Sequence, residues 1–139
     1  MKTIVLYYSY KGHTKAVAQK MAKAQGAEAV EIQTKKVKSM VATAFFDCPR
    51  AMMRKAVPIK PITKNLAGYD RIILAAPVWA GNPAPAFNAM VKLLPKGKEV
   101  KVVLVSKGGE TEKSAAGTKA LIEKQGCRVA GYEDVKEPA

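Results

Sequence analysis

Long apolar runs are missing from the 139 residues: none approaches the roughly 20 needed to cross a bilayer, and the first, Thr3 to Tyr8, is shorter than a secretion-signal core. These absences lead us to expect a cytoplasmic protein that does not engage a membrane. Cysteine is scarce as well. Cys48 and Cys127 lie far apart and without metal-ligand spacing, so neither a metal site nor a disulfide is expected, and both read as small hydrophobes. No repeat, low-complexity tract or linker divides the chain, whose length suits a single domain, residues 1–139, with a real hydrophobic core. Acidic residues are the remaining shortage: 11 Asp plus Glu face 24 Lys plus Arg, a formal net charge of +13. A field of that sign favours polyanionic or acidic partners and says nothing about fold. Its lysines and arginines form loose groups at Lys35, Lys36 and Lys38, at Arg50, Arg54 and Lys55, and at Lys92, Lys96, Lys98 and Lys101. Aromatic residues do not alternate with them, which disfavours a nucleic-acid platform and leaves solvated faces as the plain reading.

What is present alternates strands with helices. Lys2 to Tyr8 is a β-branched and aromatic run ending in a turn, so it reads as a buried strand. From His13 to Gln25, Ala16, Val17, Met21 and Ala24 form an apolar helical stripe that stops at Gly26. Ala29 to Ile32 reads as a second strand, Lys35 to Lys55 is ambiguous around Pro49, and Ile59 to Ile62 is an extended connector. Arg71 to Ala76 has the continuous apolar character of a strand covered on both faces. Pro85 to Leu94 and Lys113 to Gln125 have helical spacing, with strands at Val100 to Ser106 and Cys127 to Tyr132. This alternation predicts an α/β fold: right-handed crossovers and a doubly wound parallel sheet with helices on both faces.

Ligands of such sheets sit beyond the carboxyl ends of the strands, at the switch in strand order, so the loops there carry the functional argument. After the first strand comes Ser9-Tyr10-Lys11-Gly12-His13-Thr14, with hydroxyls, a glycine and the N-terminus of a helix, which together suit an anion. Neither the Walker pattern nor the dinucleotide G-x-G-x-x-G is present, which favours a monophosphate. Taken alone, the loop also fits an ordinary capped strand-to-helix turn. After the third strand, Pro77-Val78-Trp79-Ala80-Gly81-Asn82 places the sole tryptophan where a planar ligand would lie, although a tryptophan capping the sheet would look the same. Lys107-Gly108-Gly109-Glu110 follows the fourth strand and reads either as a third wall or as a flexible turn.

The S-x-x-G-x-T loop and P-V-W-A-G-N-P-A-P resemble the two flavin loops of the flavodoxin family, and the similarity runs from Met1 to Tyr132, including Gly68-Tyr69-Asp70 and the Gly-Gly turn. The resemblance implies a flavodoxin-like fold with a five-stranded parallel sheet of order 2-1-3-4-5 and noncovalent flavin mononucleotide (FMN) as cofactor. It places Ser9, Tyr10, Lys11, Gly12, His13 and Thr14 around the phosphate. It places Pro77, Val78, Trp79, Ala80, Gly81 and Asn82 beside the isoalloxazine ring, with Lys107, Gly108 and Gly109 as a further wall. Three departures stand out. Lys11 occupies a position where many flavodoxins have Thr and brings a charge to the phosphate. His13, the sole histidine, is expected as a solvent-exposed turn residue. Lys136-Glu137-Pro138-Ala139 leaves no room for the usual C-terminal helix, so the face it would cover is expected to be covered by Lys35 to Lys55 or by a second copy in a homodimer.

The resemblance implies an electron-transfer protein in which the flavin does the chemistry, so no catalytic residue is named. Flavodoxins are typically acidic, and reversing that charge predicts an acidic redox partner and a less negative couple for the fully reduced flavin. Two alternatives remain open: an FMN-dependent NAD(P)H:quinone-type reductase, and a flavin-free binding module with a basic surface.

Overall fold

A computed structural model describes residues 2–34, 58–79, 81–108 and 111–137. The ambiguous stretch Lys35 to Lys55, and with it Cys48, lies outside the described residues, as do Ala80, Gly109, Glu110, Pro138 and Ala139.

The described elements run β1 Thr3–Tyr7, α1 His13–Ala24, β2 Glu28–Glu31, a short 3₁₀ turn Leu66–Gly68, β3 Arg71–Trp79, β4 Asn82–Pro83, α2 Pro85–Lys92, β5 Glu99–Ser106, α3 Glu112–Lys124 and β6 Arg128–Lys136. Five strands pair in the order β2-β1-β3-β5-β6, all parallel, and the two-residue β4 pairs antiparallel with β3. Setting β4 aside, this is the order expected from the sequence. The chain steps outward from β1 in one direction and returns past it through β3, so β1 and β3 flank the switch point, where an open α/β sheet places its ligand.

Residue alternation divides the core in two. Ile4, Leu6, Ile72, Leu74, Val100, Val102 and Leu104 meet Phe87, Met90, Val91 and Leu94 from α2 and its end, with Ile122 from α3. Val5, Tyr7, Ile73, Ala75 and Val103 meet Ala18 and Ala22 of α1 on the opposite face. Burial on both faces explains why β1, the centre of β3 and the stretch Val102 to Val105 of β5 lack polar alternation. Phe87 is 0% exposed at the centre of the first cluster, and truncation to alanine there costs about 3–5 kcal/mol.

Several boundaries differ from the sequence reading. In α1 the buried residues are Thr14, Ala18 and Ala22, four apart, while Ala16 and Ala24 are exposed. Alanine suits either side of a helix, so the stripe was displaced by about one position. The second strand covers Glu28–Glu31, and Ile32 instead adds one hydrogen bond to the Tyr7 carbonyl at 2.7 Å. β3 runs on through Pro77, Val78 and Trp79, so those three residues are strand rather than loop. Trp79 faces Asn82 across a tight hairpin whose turn contains Gly81 at φ +77°, a conformation that side chains disfavour. β6 extends to Lys136, four residues beyond Tyr132. As an edge strand it has no buried residue, and its charged end hid the strand pattern. Cys127 is a buried free thiol whose Sγ donates to the Pro95 carbonyl at 3.0 Å, in keeping with its expected structural role.

Candidate functional site

At the carboxyl ends of β1 and β3 a cleft of about 280 Å³ is lined by Tyr10, Lys11, His13, Thr14, Pro77, Val78, Trp79, Lys107 and Glu137. One wall grows out of β1. Ser9 Oγ accepts the Gly12 N–H at 3.0 Å and folds the loop back on itself. Gly12 then takes φ +96°, a left-handed conformation that an L side chain resists, and serves as the N-cap of α1. No side chain caps that helix. The first N–H groups of an α-helix have no intrahelical acceptor and carry the positive end of its dipole, so this wall suits an anion. Lys11 is exposed beside it, and Thr14 is 2% exposed beneath.

The second wall is aromatic. Trp79, at the end of β3, packs edge-to-face on Tyr10 with ring centroids 5.6 Å apart and on Tyr8 at 6.2 Å. Such perpendicular pairs are favoured by the ring quadrupoles and hold the indole at the rim. Pro77 and Val78 extend the apolar surface towards β5, and the Pro77 carbonyl is held by the Ala84 N–H at 2.9 Å. Lys107 follows β5, and Glu137 reaches the cleft because its N–H extends the β6 ladder to the Ser106 carbonyl at 2.8 Å. Below the cleft, burial pushes the Tyr7 phenol up from its ordinary pKa; the Glu31 charge adds to this, and a hydrogen bond from Gln19 opposes it.

Eight residues singled out from the sequence therefore meet in one cleft: Tyr10, Lys11, His13, Thr14, Pro77, Val78, Trp79 and Lys107. Ser9 and Gly12 shape its first loop, Asn82 and Gly81 shape the hairpin behind Trp79, and Gly108 is exposed next to Lys107. Ala80 and Gly109 lie outside the described residues. His13 lines the cleft with the other residues of its loop, and is half-buried rather than the solvent-exposed turn residue expected, because the turn of α1 that carries it closes one side. Two contributors were missed. Glu137 depends on the unforeseen length of β6. Tyr8 was readable, since it continues the alternation Ile4, Leu6, Tyr8 to the strand end.

The model of the family described as NADPH-dependent FMN reductase matches residues 1–129. The chain belongs to that family. It thereby joins a flavodoxin-like, FMN-binding group of proteins, and FMN is its cofactor. An NAD(P)H dehydrogenase (quinone) of Cupriavidus metallidurans is 30% identical over 80 residues, which are 58% of this chain and 40% of that relative's length. Among solved structures, a flavoprotein from Lactobacillus acidophilus in complex with FMN superposes with a TM-score of 0.81 at 24% identity, over 94% of this chain and 91% of that one. Oxidised flavodoxin 2 from Bacillus cereus superposes with a TM-score of 0.57 at 18% identity, over 99% and 85% of the two chains. At these identities the two structures speak for the fold alone.

The residues of this FMN reductase family member fit FMN on their own geometry. An anion-ready helix start and a lysine stand on one side of the cleft, and the indole of Trp79 with adjacent strand backbone stands on the other. Those are the needs of a phosphate and of an apolar ring with a polar edge. Among the described residues no helix is long and apolar enough to cross a membrane, and no cluster of three or more metal-ligating side chains occurs.

Proposed function

We propose that the chain holds FMN in the cleft between the ends of β1 and β3 and passes electrons through it to or from another protein. The observation that supports this most is the convergence of two unlike walls, the uncapped start of α1 at Gly12 and the aromatic rim at Trp79, on one cleft. In this reading Ser9 to Thr14 surround the phosphate. Lys11 adds its charge, and the N–H groups of the first turn of α1 donate hydrogen bonds. Pro77, Val78, Trp79, Gly81 and Asn82 flank the ring, with Trp79 as the stacking surface, and Lys107 and Gly108 close a third side. FMN supplies the redox chemistry, while the protein binds it, orients it and sets the charge around it. Lys11 and Lys107 are exposed at the cleft, and the chain carries a formal net charge of +13, which favours an acidic partner protein by charge complementarity. Reconstitution tests the reading: the purified chain should take up one FMN, with a shifted visible spectrum. A chain that leaves FMN free in solution would contradict it.

A second reading is a reductase that accepts hydride from NADPH and delivers electrons to a quinone-type acceptor. The family description and the named activity of the Cupriavidus relative favour it. Anaerobic mixing of the FMN-loaded chain with NADPH separates the two. Bleaching of the flavin by NADPH alone within seconds supports the reductase. Reduction that is slow with NADPH and fast with a protein donor supports the carrier.

A further inference from the structure

Thr111 stands at the N-cap of α3, immediately after the loop that follows β5, and is 3% exposed. A threonine there ordinarily turns its hydroxyl onto the first N–H groups of its own helix. Here it makes no such bond. Its Oγ1 instead donates to Asp134 Oδ1 at 2.5 Å, its backbone N–H donates to Asp134 Oδ2 at 3.0 Å, and the Tyr132 hydroxyl meets the same Oγ1. Both carboxylate oxygens of a β6 residue are thus spent on one residue of α3. The other end of the loop leaves the sheet at Ser106, which is paired in register with Lys136 and whose carbonyl accepts the Glu137 N–H. The edge strand β6 therefore holds both ends of the loop that carries Lys107 into the cleft.

We propose that Asp134, acting through Thr111 and supported by Tyr132, is the positioning residue for Lys107 at the FMN site. The proposal rests on the FMN reading above. Hydrogen bonds to a charged acceptor are stronger than neutral ones, and this pair fixes both backbone and side chain of the residue that ends the loop. With Asp134 removed, Thr111 keeps its carbonyl bonds to Ser114 in α3 but loses its carboxylate tie to the edge strand. A purely structural role would lower the melting temperature and leave the bound flavin untouched. A positioning role reaches the flavin.

The test is FMN titration by fluorescence quenching, well below the melting temperature, together with the visible circular dichroism of the bound flavin. It compares the natural chain with Asp134→Ala, Thr111→Val and Thr111→Ser. Asp134→Ala should weaken FMN binding about tenfold, the effect of losing charge-assisted hydrogen bonds, and change the flavin dichroism. Thr111→Val should weaken binding less, and Thr111→Ser, which keeps the hydroxyl, should behave as the natural chain. If Asp134→Ala is too unstable to purify, the Thr111 pair decides the matter. FMN affinity and dichroism equal to those of the natural chain in both Asp134→Ala and Thr111→Val would overturn the proposal while leaving the FMN reading intact. Failure of the natural chain to bind FMN would overturn that reading, and the proposal with it.

Discussion

At the amino ends of the strands, charged side chains are answered by other parts of the chain. Arg71 Nε donates to Glu99 at 2.6 Å, Arg128 joins the other oxygen of the same carboxylate, and Glu28 pairs with Lys64 at 2.5 Å and accepts from the Tyr69 hydroxyl at 3.2 Å. The Lys2 N–H donates to Asp70 at 2.7 Å, and its ammonium lies 4.8 Å from the centroid of the Tyr69 ring. At the carboxyl ends the corresponding groups converge on a cleft: the uncapped start of α1, Lys11, Lys107 and Trp79. Polar residues at the amino end satisfy each other, and several of those at the carboxyl end line an open cleft. Displaced ionisation therefore does not mark the site in this molecule. Glu28 and Glu99 are held below the ordinary carboxylate range by their hydrogen bonds to Lys64 and Arg71, and the Lys64 ammonium is raised by Glu28. All three belong to structural ion pairs, which perturb pKa values as active sites do.

Substitutions at the two ends should separate ligand binding from stability. Among substitutions in the loop after β1, the largest effect is expected for Gly12→Val. Open space surrounds the position where a Cβ would lie, so the whole penalty is conformational, from a β-branched residue at φ +96°. Left-handed backbone costs an L residue about 1–2 kcal/mol, so FMN affinity should fall about tenfold as the loop abandons its native turn, a change readable by calorimetric titration. Lys11→Glu should follow, with a loss of about fivefold to tenfold that shrinks as salt is added, because the side chain is exposed and screened.

The smallest effect on FMN is expected at the other end. Glu99→Gln should leave FMN affinity unchanged and lower stability only where the natural carboxylate is ionised. The folded-state pKa of Glu99 lies below its unfolded value, chiefly through the Arg71 hydrogen bond. Its contribution is therefore present above the unfolded pKa and is lost as pH falls through the folded one. Melting temperatures of the two proteins should differ most near neutrality and converge in acid. A constant difference across the whole range would contradict the assignment.

Much of the fold was legible because burial on both faces writes most of β1, β3 and β5 as apolar runs, a signal that needs no partner to be read. The site loops were legible for a different reason. Gly12, Gly81 and Trp79 are residue types whose backbone freedom or ring surface is rarely neutral at a strand end. What escaped depends on distant pairing. The last residues of β6, Glu133 to Lys136, look like a charged tail, and only their register with Val103 to Ser106 makes them a strand that delivers Glu137 to the cleft. Thr111 and Asp134 are 23 residues apart, and nothing in either residue's neighbourhood announces the other. The β3–β4 hairpin escaped because Pro77 suggests a strand end, whereas proline is tolerated here past the end of β1, where the neighbour on that side has stopped.

The central claim is that the carboxyl ends of β1 and β3 hold FMN, with Trp79 against the ring. It is tested most directly by titrating FMN into the natural chain and Trp79→Ala, following flavin fluorescence, with melting temperatures recorded in parallel. Stacking on an aromatic face contributes about 1–3 kcal/mol in comparable ligand systems, so affinity should fall about tenfold or more while the melting temperature of the flavin-free protein changes little. Equal affinity in the two proteins would contradict the placement of the ring.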